Sequence, residues 1–270
     1  MNIETKSKIE EHLREVMNRI IEKRTIYEPF NEDEIKRKNP FGYRLVPIEV
    51  WKGSKFERSF VTSLGQGIFE QIARIIAEGS GAIAINQYQK IIRLNSWQLE
   101  RIDNILENQR KKNLKTKSKN SIKLKTISEE LEFLRKLDTD RYQDVNVLFD
   151  LYIKRKDGTE EYYSLKTVKP NLDQTEAAKK DILRLMTSEK NAQAYFALPY
   201  NPAGEDKSYK SIHSIPYKLF DMDCDNNVLI GENLWNKIGM DDNTYSELLD
   251  IFDKVGEECK DKIRKNYLGI

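Results

Sequence analysis

The stretch VNVLFDLYIKRKDGTEEYYSLKTV, residues 145–168, decides the fold of this chain. Its two ends, residues 145–153 and 161–168, are rich in β-branched and aromatic residues, which favour β-strands. Between them, Asp157-Gly158 is a strong signal for a tight turn, because glycine adopts the positive φ angle that such turns require. The sequence therefore predicts an antiparallel hairpin.

A helix and a further strand follow the hairpin. Residues 174–187 place apolar side chains at helical spacing, and AQAYFALPY, residues 192–200, is a compact apolar strand bounded by prolines. A helix between two strands acts as a crossover that packs on one face of a sheet. We expect an α/β fold, with a mixed β-sheet core flanked by helices.

Further helices are predicted on both sides of this core. Before it, the expected helices cover residues 3–24, a segment that starts at Ser63 as N-cap and stops at Gly79, and residues 96–110 and 128–137. Gly65 and Gly67 lie in the first turn of the second helix, where close packing or approach to a phosphate would explain them. We interpret 1–270 as one domain, with a helical N-terminal extension (1–55), a core (56–200) and a C-terminal region (201–270) that adds helices.

The composition narrows the class of protein. With 33% charged and 10% aromatic residues, the chain has a globular composition. It has no apolar stretch long enough to span a membrane and no signal-like N-terminus, and Cys224 and Cys259 are expected to be reduced thiols, so a cytoplasmic protein is expected. The two histidines give no metal-binding cluster.

Positive charge is concentrated in one segment, although the net charge is only +2. Residues 108–125 contain eight Lys or Arg and no acidic residue. Such a run can neutralise several phosphates of DNA, and it can equally be a solvated loop.

The hairpin carries the residues that suggest chemistry. Cleavage of a phosphodiester requires a divalent cation, for which magnesium takes carboxylate and other oxygen ligands, and a nearby lysine can orient water and stabilise charge. Asp150 on the first strand and Lys166 on the second can converge at one end of the sheet. Their side chains share a face only if the register permits it.

These residues resemble the PD-(D/E)XK nuclease superfamily, in the order Asp150, hairpin, Ser164-Leu165-Lys166, helix and strand. Longer segments resemble type II restriction endonucleases of the TdeIII and MjaII type: FVTSLGQGIFEQIA at 60–73, LKTVKPNLDQ at 165–174, YFALPYNP at 195–202, and WNKIG at 235–239 with Thr244-Tyr245. The resemblance covers residues 55–255. It implies a restriction-endonuclease-like αβββαβ core and magnesium-dependent hydrolysis of double-stranded DNA at a palindromic GGNCC site. It also implies a homodimer and a cognate DNA methyltransferase as a genetic partner.

Ser164 departs from the motif, because it stands where the second acid is expected and a hydroxyl binds magnesium poorly. Three explanations are open: Glu176 or Asp173 on the following helix supplies the acid, the site depends on Asp150 and Glu70, or the chain is an inactivated form. The resemblance assigns metal binding to Asp150 and Glu70 and phosphate- and water-facing chemistry to Lys166. Gln174 can orient water, or it can be a polar residue that starts a helix.

Contacts with DNA are expected outside the hairpin as well. The candidates are basic residues in two loops and one lysine beside Lys166, namely Lys111, Lys112, Lys115, Lys117, Lys169, Lys207 and Lys210. Two other functions fit the same fold: a repair or recombination nuclease, and a DNA-binding protein that Ser164 has weakened catalytically.

Overall fold

The computed structural model, which describes residues 1–111 and 124–270, contains the predicted hairpin. Strand β2 (Tyr142–Lys154) pairs antiparallel with β3 (Glu160–Leu165). In the turn between them, Gly158 has φ +88° and its N–H donates to the carbonyl of Arg155. The hairpin and its turn are confirmed, although β3 ends three residues before the expected residue 168.

The hairpin is part of a mixed sheet, as predicted. Within the described residues the sheet has five strands in the order β1-β2-β3-β4-β5, with β1 (Ile83–Asn95), β4 (Gln193–Leu198) and β5 (Val228–Ile230) beside the hairpin. Strand β1 pairs antiparallel with β2, while β3, β4 and β5 are parallel. The sequence pattern locates only two of the three strands expected before the crossover helix, and β1 is the third.

Helices precede, connect and follow the strands along the chain. Before the sheet they are α1 (Ile3–Glu22), α2 (Glu32–Lys38), α3 (Pro40–Leu45), α4 (Ile48–Ser63) and α5 (Phe69–Gly79), with a π-helical segment, Leu64–Ile68, between the last two. The rest are α6 (Ser96–Lys111), α7 (Ile127–Leu134), the crossover helix α8 (Leu172–Ser188), α9 (Glu232–Gly239) and α10 (Thr244–Lys262). No helix of the described part combines the length and apolarity that a membrane crossing requires.

Ser63 does not cap the start of a helix, so this prediction is wrong. It is the last residue of α4, and its φ of −64° and ψ of −43° are helical. The π-helical segment after it contains Gly67 at φ +79°. A Cβ added to Gly67 would meet nothing within 4 Å, so this glycine serves the backbone conformation and not close packing. The expected stop at Gly79 is confirmed.

The described residues group into two units, Met1–Ile75 with Tyr245–Ile270, and Ile76–Thr244. The expected bounds do not coincide with them, because residues 56–75 group with the N-terminal helices and residues 201–244 group with the sheet. The interpretation of 1–270 as one nuclease domain stays a prediction.

Helix α8 packs on the face of the sheet that carries Phe149 and Tyr162 of the hairpin. Its buried Ile182, Leu183 and Leu185 belong to one core cluster with Phe149 and Tyr162. Burial of each aliphatic side chain stabilises the fold by roughly 1.5–3 kcal/mol. These contacts hold this face of the sheet against α8. They therefore also fix the residues that project from this face.

A buried charged pair joins α8 to α7. Lys179 is fully buried, and its ammonium lies 2.8 Å from the carboxylate of Glu130, which is 4% exposed. Gln109 of α6 donates to the same carboxylate at 2.7 Å. Burial raises the pKa of Glu130, while the charge of Lys179 opposes that rise. The pair holds three helices together behind the sheet.

Candidate active site

Asp150 and Lys166 form the centre of the candidate site. Asp150 lies in β2, and Lys166 is the first residue after β3. The Lys166 ammonium donates a hydrogen bond to Asp150 Oδ2 at 2.7 Å, and the two side chains are 20% and 16% exposed. The expected convergence of these side chains is present, and the pair stays accessible to a ligand.

Ser164 lies beside this pair, where the second acid of the motif was expected. Its hydroxyl donates to Asp150 Oδ2 over 3.5 Å, a long contact, and the residue is 3% exposed. The Leu151–Tyr163 pairing of the two strands, continued by one residue, places Asp150 opposite Ser164. The motif position is thus filled by a buried hydroxyl next to the first acid.

The side-chain alternation of β2 is interrupted at Asp150. Phe149 and Tyr152 both contact Tyr162, with ring centroids 5.3 and 5.0 Å away. Residues three apart in a regular strand point to opposite faces, so the alternation shifts by one residue between these two. Asp150 lies in this interval, and the shift directs its carboxylate to Ser164 and Lys166.

Gln87 faces Asp150 from strand β1, at the same irregularity. The β1–β2 ladder pairs Asn86 with Leu151 and Tyr88 with Phe149, and it passes over the intervening residues. Gln87 has φ +53°, which is uncommon for a residue with a side chain. Its Nε2 donates to Asp150 Oδ1 over 3.5 Å. Sequence reasoning missed this residue, because a glutamine inside a strand carries no signal of a left-handed backbone.

Asp181 is a second acid near the site that sequence reasoning missed. It lies in α8, and its Oδ2 accepts a hydrogen bond from the N–H of Leu148 at 3.3 Å, two residues before Asp150. Burial raises its pKa, and the Leu148 N–H and the positive charges of Arg184 and Lys166 oppose that rise. A carboxylate from the crossover helix therefore lies within the electric field of Lys166. The available signal was an acid among the apolar positions of an amphipathic helix.

The acids that were expected from the start of α8 have other partners. Glu176 and Asp173 accept hydrogen bonds from Arg110 of α6, at 2.6 and 2.8 Å. Gln174 forms a capping box with Asn171, in which each side chain accepts from the other residue's N–H, at 2.8 and 3.0 Å. In this structure these three side chains hold the start of the helix.

Glu70 is half-buried in the first turn of α5 and belongs to the N-terminal unit, whereas Asp150 belongs to the sheet unit. Its role as a metal ligand stays a prediction. Within residues 1–111 and 124–270, no group of three or more His, Cys, Asp or Glu is placed to hold a metal ion.

The donors near Lys166 nevertheless suit magnesium. Asp150 and Asp181 offer carboxylate oxygens and Ser164 offers a hydroxyl, which are the hard oxygen ligands that this cation takes. Magnesium commonly uses only one or two protein carboxylates and completes its shell with water and phosphate oxygens. The donor set therefore fits the cation that the motif implies.

Basic side chains lie next to the segment that follows Lys166. Lys169, Lys207 and Lys210 are exposed. The loop that carries the last two is fastened to this segment, because Tyr209 OH donates to the carbonyl of Val168 at 2.8 Å and a ring nitrogen of His213 lies 2.8 Å from the carbonyl of Pro170.

The other expected DNA contacts lie at the end of α6 and beyond it. Lys111 ends α6 and pairs with Glu107 at 2.5 Å. Lys112, Lys115 and Lys117 lie outside the described residues.

Comparison with known proteins places this chain in a family. Residues 5–256 match the profile of the type II restriction endonuclease HinfI family. The type II restriction enzyme HgiCII of Herpetosiphon aurantiacus is 32% identical over 234 residues, which cover 85% of this chain and 81% of the relative. HgiBI of the same organism is 31% identical, over 80% of this chain and 77% of the relative. MjaII, a type II restriction enzyme of Methanocaldococcus jannaschii, is 28% identical, over 76% and 55%.

Proposed function

We propose that this chain, which belongs to the HinfI family of type II restriction endonucleases and is a site-specific endonuclease, cuts both DNA strands at a palindromic GGNCC site with magnesium. The observation that carries the proposed chemistry is the contact of Asp150 with Lys166, 2.7 Å apart beside the buried hydroxyl of Ser164, whereas the GGNCC target follows from the resemblance to the MjaII type. An acid on one strand and a lysine directly after the adjoining strand match the chemical needs of phosphodiester hydrolysis.

Asp150 is the proposed metal ligand, because its carboxylate is accessible and receives only one short hydrogen bond, from Lys166, in the described surroundings. Two acids are candidates for the second ligand: Glu70, as the resemblance implies, and Asp181, whose position beside β2 supports it. When bound, magnesium would supply positive charge to the scissile phosphate and lower the pKa of a water molecule.

Lys166 would orient the attacking water and stabilise negative charge on the phosphate. Its ammonium is held by Asp150 in the protein alone, so its position is fixed before substrate arrives. Such preorganisation lowers the cost of forming the reactive arrangement. Hydrolysis would leave a 3′-hydroxyl and a 5′-phosphate.

Lys169, Lys207 and Lys210 would contact DNA phosphates next to the cut. Support for this comes from the loop of Lys207 and Lys210, which is tied to the chain just after Lys166. A palindromic site has two-fold symmetry, which a homodimer would match. A cognate methyltransferase would protect the host's own sites.

The test is digestion of plasmid and phage DNA by the purified protein with magnesium, followed by sequencing of the ends. Discrete fragments ending at GGNCC sites would support the whole proposal. Discrete fragments ending elsewhere would contradict the target sequence alone.

Ser164 in the acid position favours one competing function, a DNA-binding protein with weakened catalysis. DNA that is retarded in a gel but stays uncut under all metal conditions would support that function. Nicking that depends on DNA structure and not on sequence would support a repair nuclease of the same fold.

A further inference from the structure

The active-site carboxylate is on the correct face of the sheet only because of an irregularity. Tyr162 packs in the core cluster with α8, and Ser164 and Lys166 follow it at intervals of two. The N–H of Lys166 donates to the carbonyl of Ala197, so the ladder with β4 continues to this residue. By strand alternation, Tyr162, Ser164 and Lys166 therefore share the α8 face.

Phe149 lies on that same face, because it contacts Tyr162 and belongs to the same cluster. In a regular strand the next residue, Asp150, would point to the opposite face, away from Lys166. The 2.7 Å contact between Asp150 and Lys166 thus requires the shift of alternation described above.

Gln87 has the unusual backbone at this position. On either side of it the β1–β2 ladder keeps one register, with Asn86 on Leu151 and Tyr88 on Phe149. The irregularity is therefore confined to Gln87 and Asp150, and of the two only Gln87 has a positive φ, at +53°. A left-handed residue rotates the pleat of its own strand, β1, so that the side chains after it change face. Because β2 keeps its pairing with β1 on both sides of Gln87, the faces of β2 change at the same level, which is Asp150.

We propose that Gln87 is a positioning residue whose left-handed backbone conformation turns Asp150 toward Ser164 and Lys166. The role is assigned to the backbone, because the positive φ of Gln87 coincides with the change of alternation, whereas its side chain reaches Asp150 over 3.5 Å. Residues with side chains store strain in this conformation, and such strain is concentrated at functional sites. The catalytic meaning of this inference rests on the proposed function, whereas its structural content does not.

Four substitutions at position 87 distinguish the effect of the backbone conformation from the effect of the side chain. Gln87→Gly and Gln87→Asn favour positive φ, while Gln87→Ala and Gln87→Val oppose it, valine most strongly. Gln89→Val is the matched control: Gln89 lies two residues along the same strand, is also exposed and has no positive φ.

In cleavage of plasmid DNA with magnesium, we expect the Gly and Asn variants to keep kcat within about threefold of wild type. The Val variant should lose roughly tenfold or more, and Ala an intermediate amount, following the cost of the left-handed conformation. The Gln89→Val variant should match wild type. Thermal unfolding of the five variants and wild type identifies any loss of activity that comes from a loss of folded protein.

Two results would overturn the inference. Equal activity of Gly, Ala and Val would show that the backbone conformation is irrelevant, and a loss in Gly as large as in Val would assign the effect to the side chain.

Crystal structures of Gln87→Gly and Gln87→Val make the test independent of cleavage. The contact of Asp150 with Lys166 should remain in the Gly variant and be lost in the Val variant. If wild type cuts no DNA but this difference is seen, the proposed function fails and the positioning role stands. If the contact persists in the Val variant, the positioning role fails.

Discussion

The carboxylate of Asp150 lies 2.7 Å from the ammonium of Lys166, although sixteen positions separate the two residues in the chain. The hairpin brings them together, and the local change of alternation at Asp150 turns them to one face. Ser164 completes the arrangement as a hydroxyl where an acid is expected.

Asp181→Asn is expected to lower the rate of cleavage by about 100-fold, because a second carboxylate near the metal position would be lost. Asp173→Asn and Glu176→Gln are matched controls on the same helix, since both acids pair with Arg110. They should reduce the rate by less than about threefold. A large loss in either control with full activity in Asp181→Asn would restore the acids at the start of α8 as ligands.

The same variant should change how stability depends on pH. Burial raises the pKa of Asp181, so its contribution to stability is present at low pH and is lost as pH rises through that pKa. Asp181→Asn removes this loss, and we expect the variant to be more stable than wild type at pH 8. Near pH 4 the two proteins should be alike. Urea unfolding at both pH values measures this, and a variant less stable at pH 8 would contradict it.

Ser164→Glu alone is expected to leave the rate of cleavage unchanged or to lower it. The glutamate would place another carboxylate, at a buried position, next to that of Asp150. In the Asp181→Asn background the same change should restore part of the activity, since the acid returns to the motif position. Single-turnover cleavage is measured for wild type, Ser164→Glu, Asp181→Asn and the double variant, which together form a double-mutant cycle. A rise in activity from Ser164→Glu alone would show that the serine is a lesion in the motif.

Lys179→Met should destabilise the protein by about 3–5 kcal/mol, because it leaves the Glu130 carboxylate buried without its ammonium partner. Lys180→Met is the matched control at the next position, where the partner Asp103 is 56% exposed. It should cost less than about 1 kcal/mol. Chemical unfolding measures both variants, and similar losses in the two would contradict a structural role for the buried pair.

Replacement of both Lys207 and Lys210 by alanine should weaken DNA binding and reduce its salt dependence. Each phosphate contact contributes about 0.9 to the slope of log K against log salt, so the double variant should lose about 2. Lys156→Ala with Lys190→Ala is the control, because both lysines are exposed near the turn of the hairpin, away from Lys166. An unchanged slope in the first pair would remove this loop from the DNA contact.

Much of the sheet was accessible from the sequence, because its signals are local. The β-branched runs around Asp157-Gly158 predict the hairpin, and the apolar spacing of residues 174–187 predicts the crossover helix. Strand β1 was harder, since INQYQKIIRLN mixes polar and apolar residues along an edge strand with one exposed face. The helix start predicted at Ser63 was wrong because serine, which is common at N-caps, also occurs inside helices.

The candidate site also contains some residues that the sequence predicts and others that it does not. Asp150, Ser164 and Lys166 are close in sequence to one turn, so their proximity was predictable. Asp181 approaches β2 because α8 packs on the sheet. The proposed role of Gln87 depends on its positive φ angle. A left-handed residue within a strand has no local sequence signature, and an acid among the apolar positions of a helix does not show which strand it will approach.

The most direct test of the account is cleavage of plasmid DNA with magnesium by wild type, Asp150→Asn and Asp144→Asn. Asp144 is exposed on the same strand and controls for the loss of one carboxylate. We expect wild type and Asp144→Asn to give the same discrete fragments, and Asp150→Asn to bind DNA but cut on the order of 1,000-fold more slowly. Cleavage by Asp150→Asn at the wild-type rate would contradict the assignment of the active site to the Asp150–Lys166 pair.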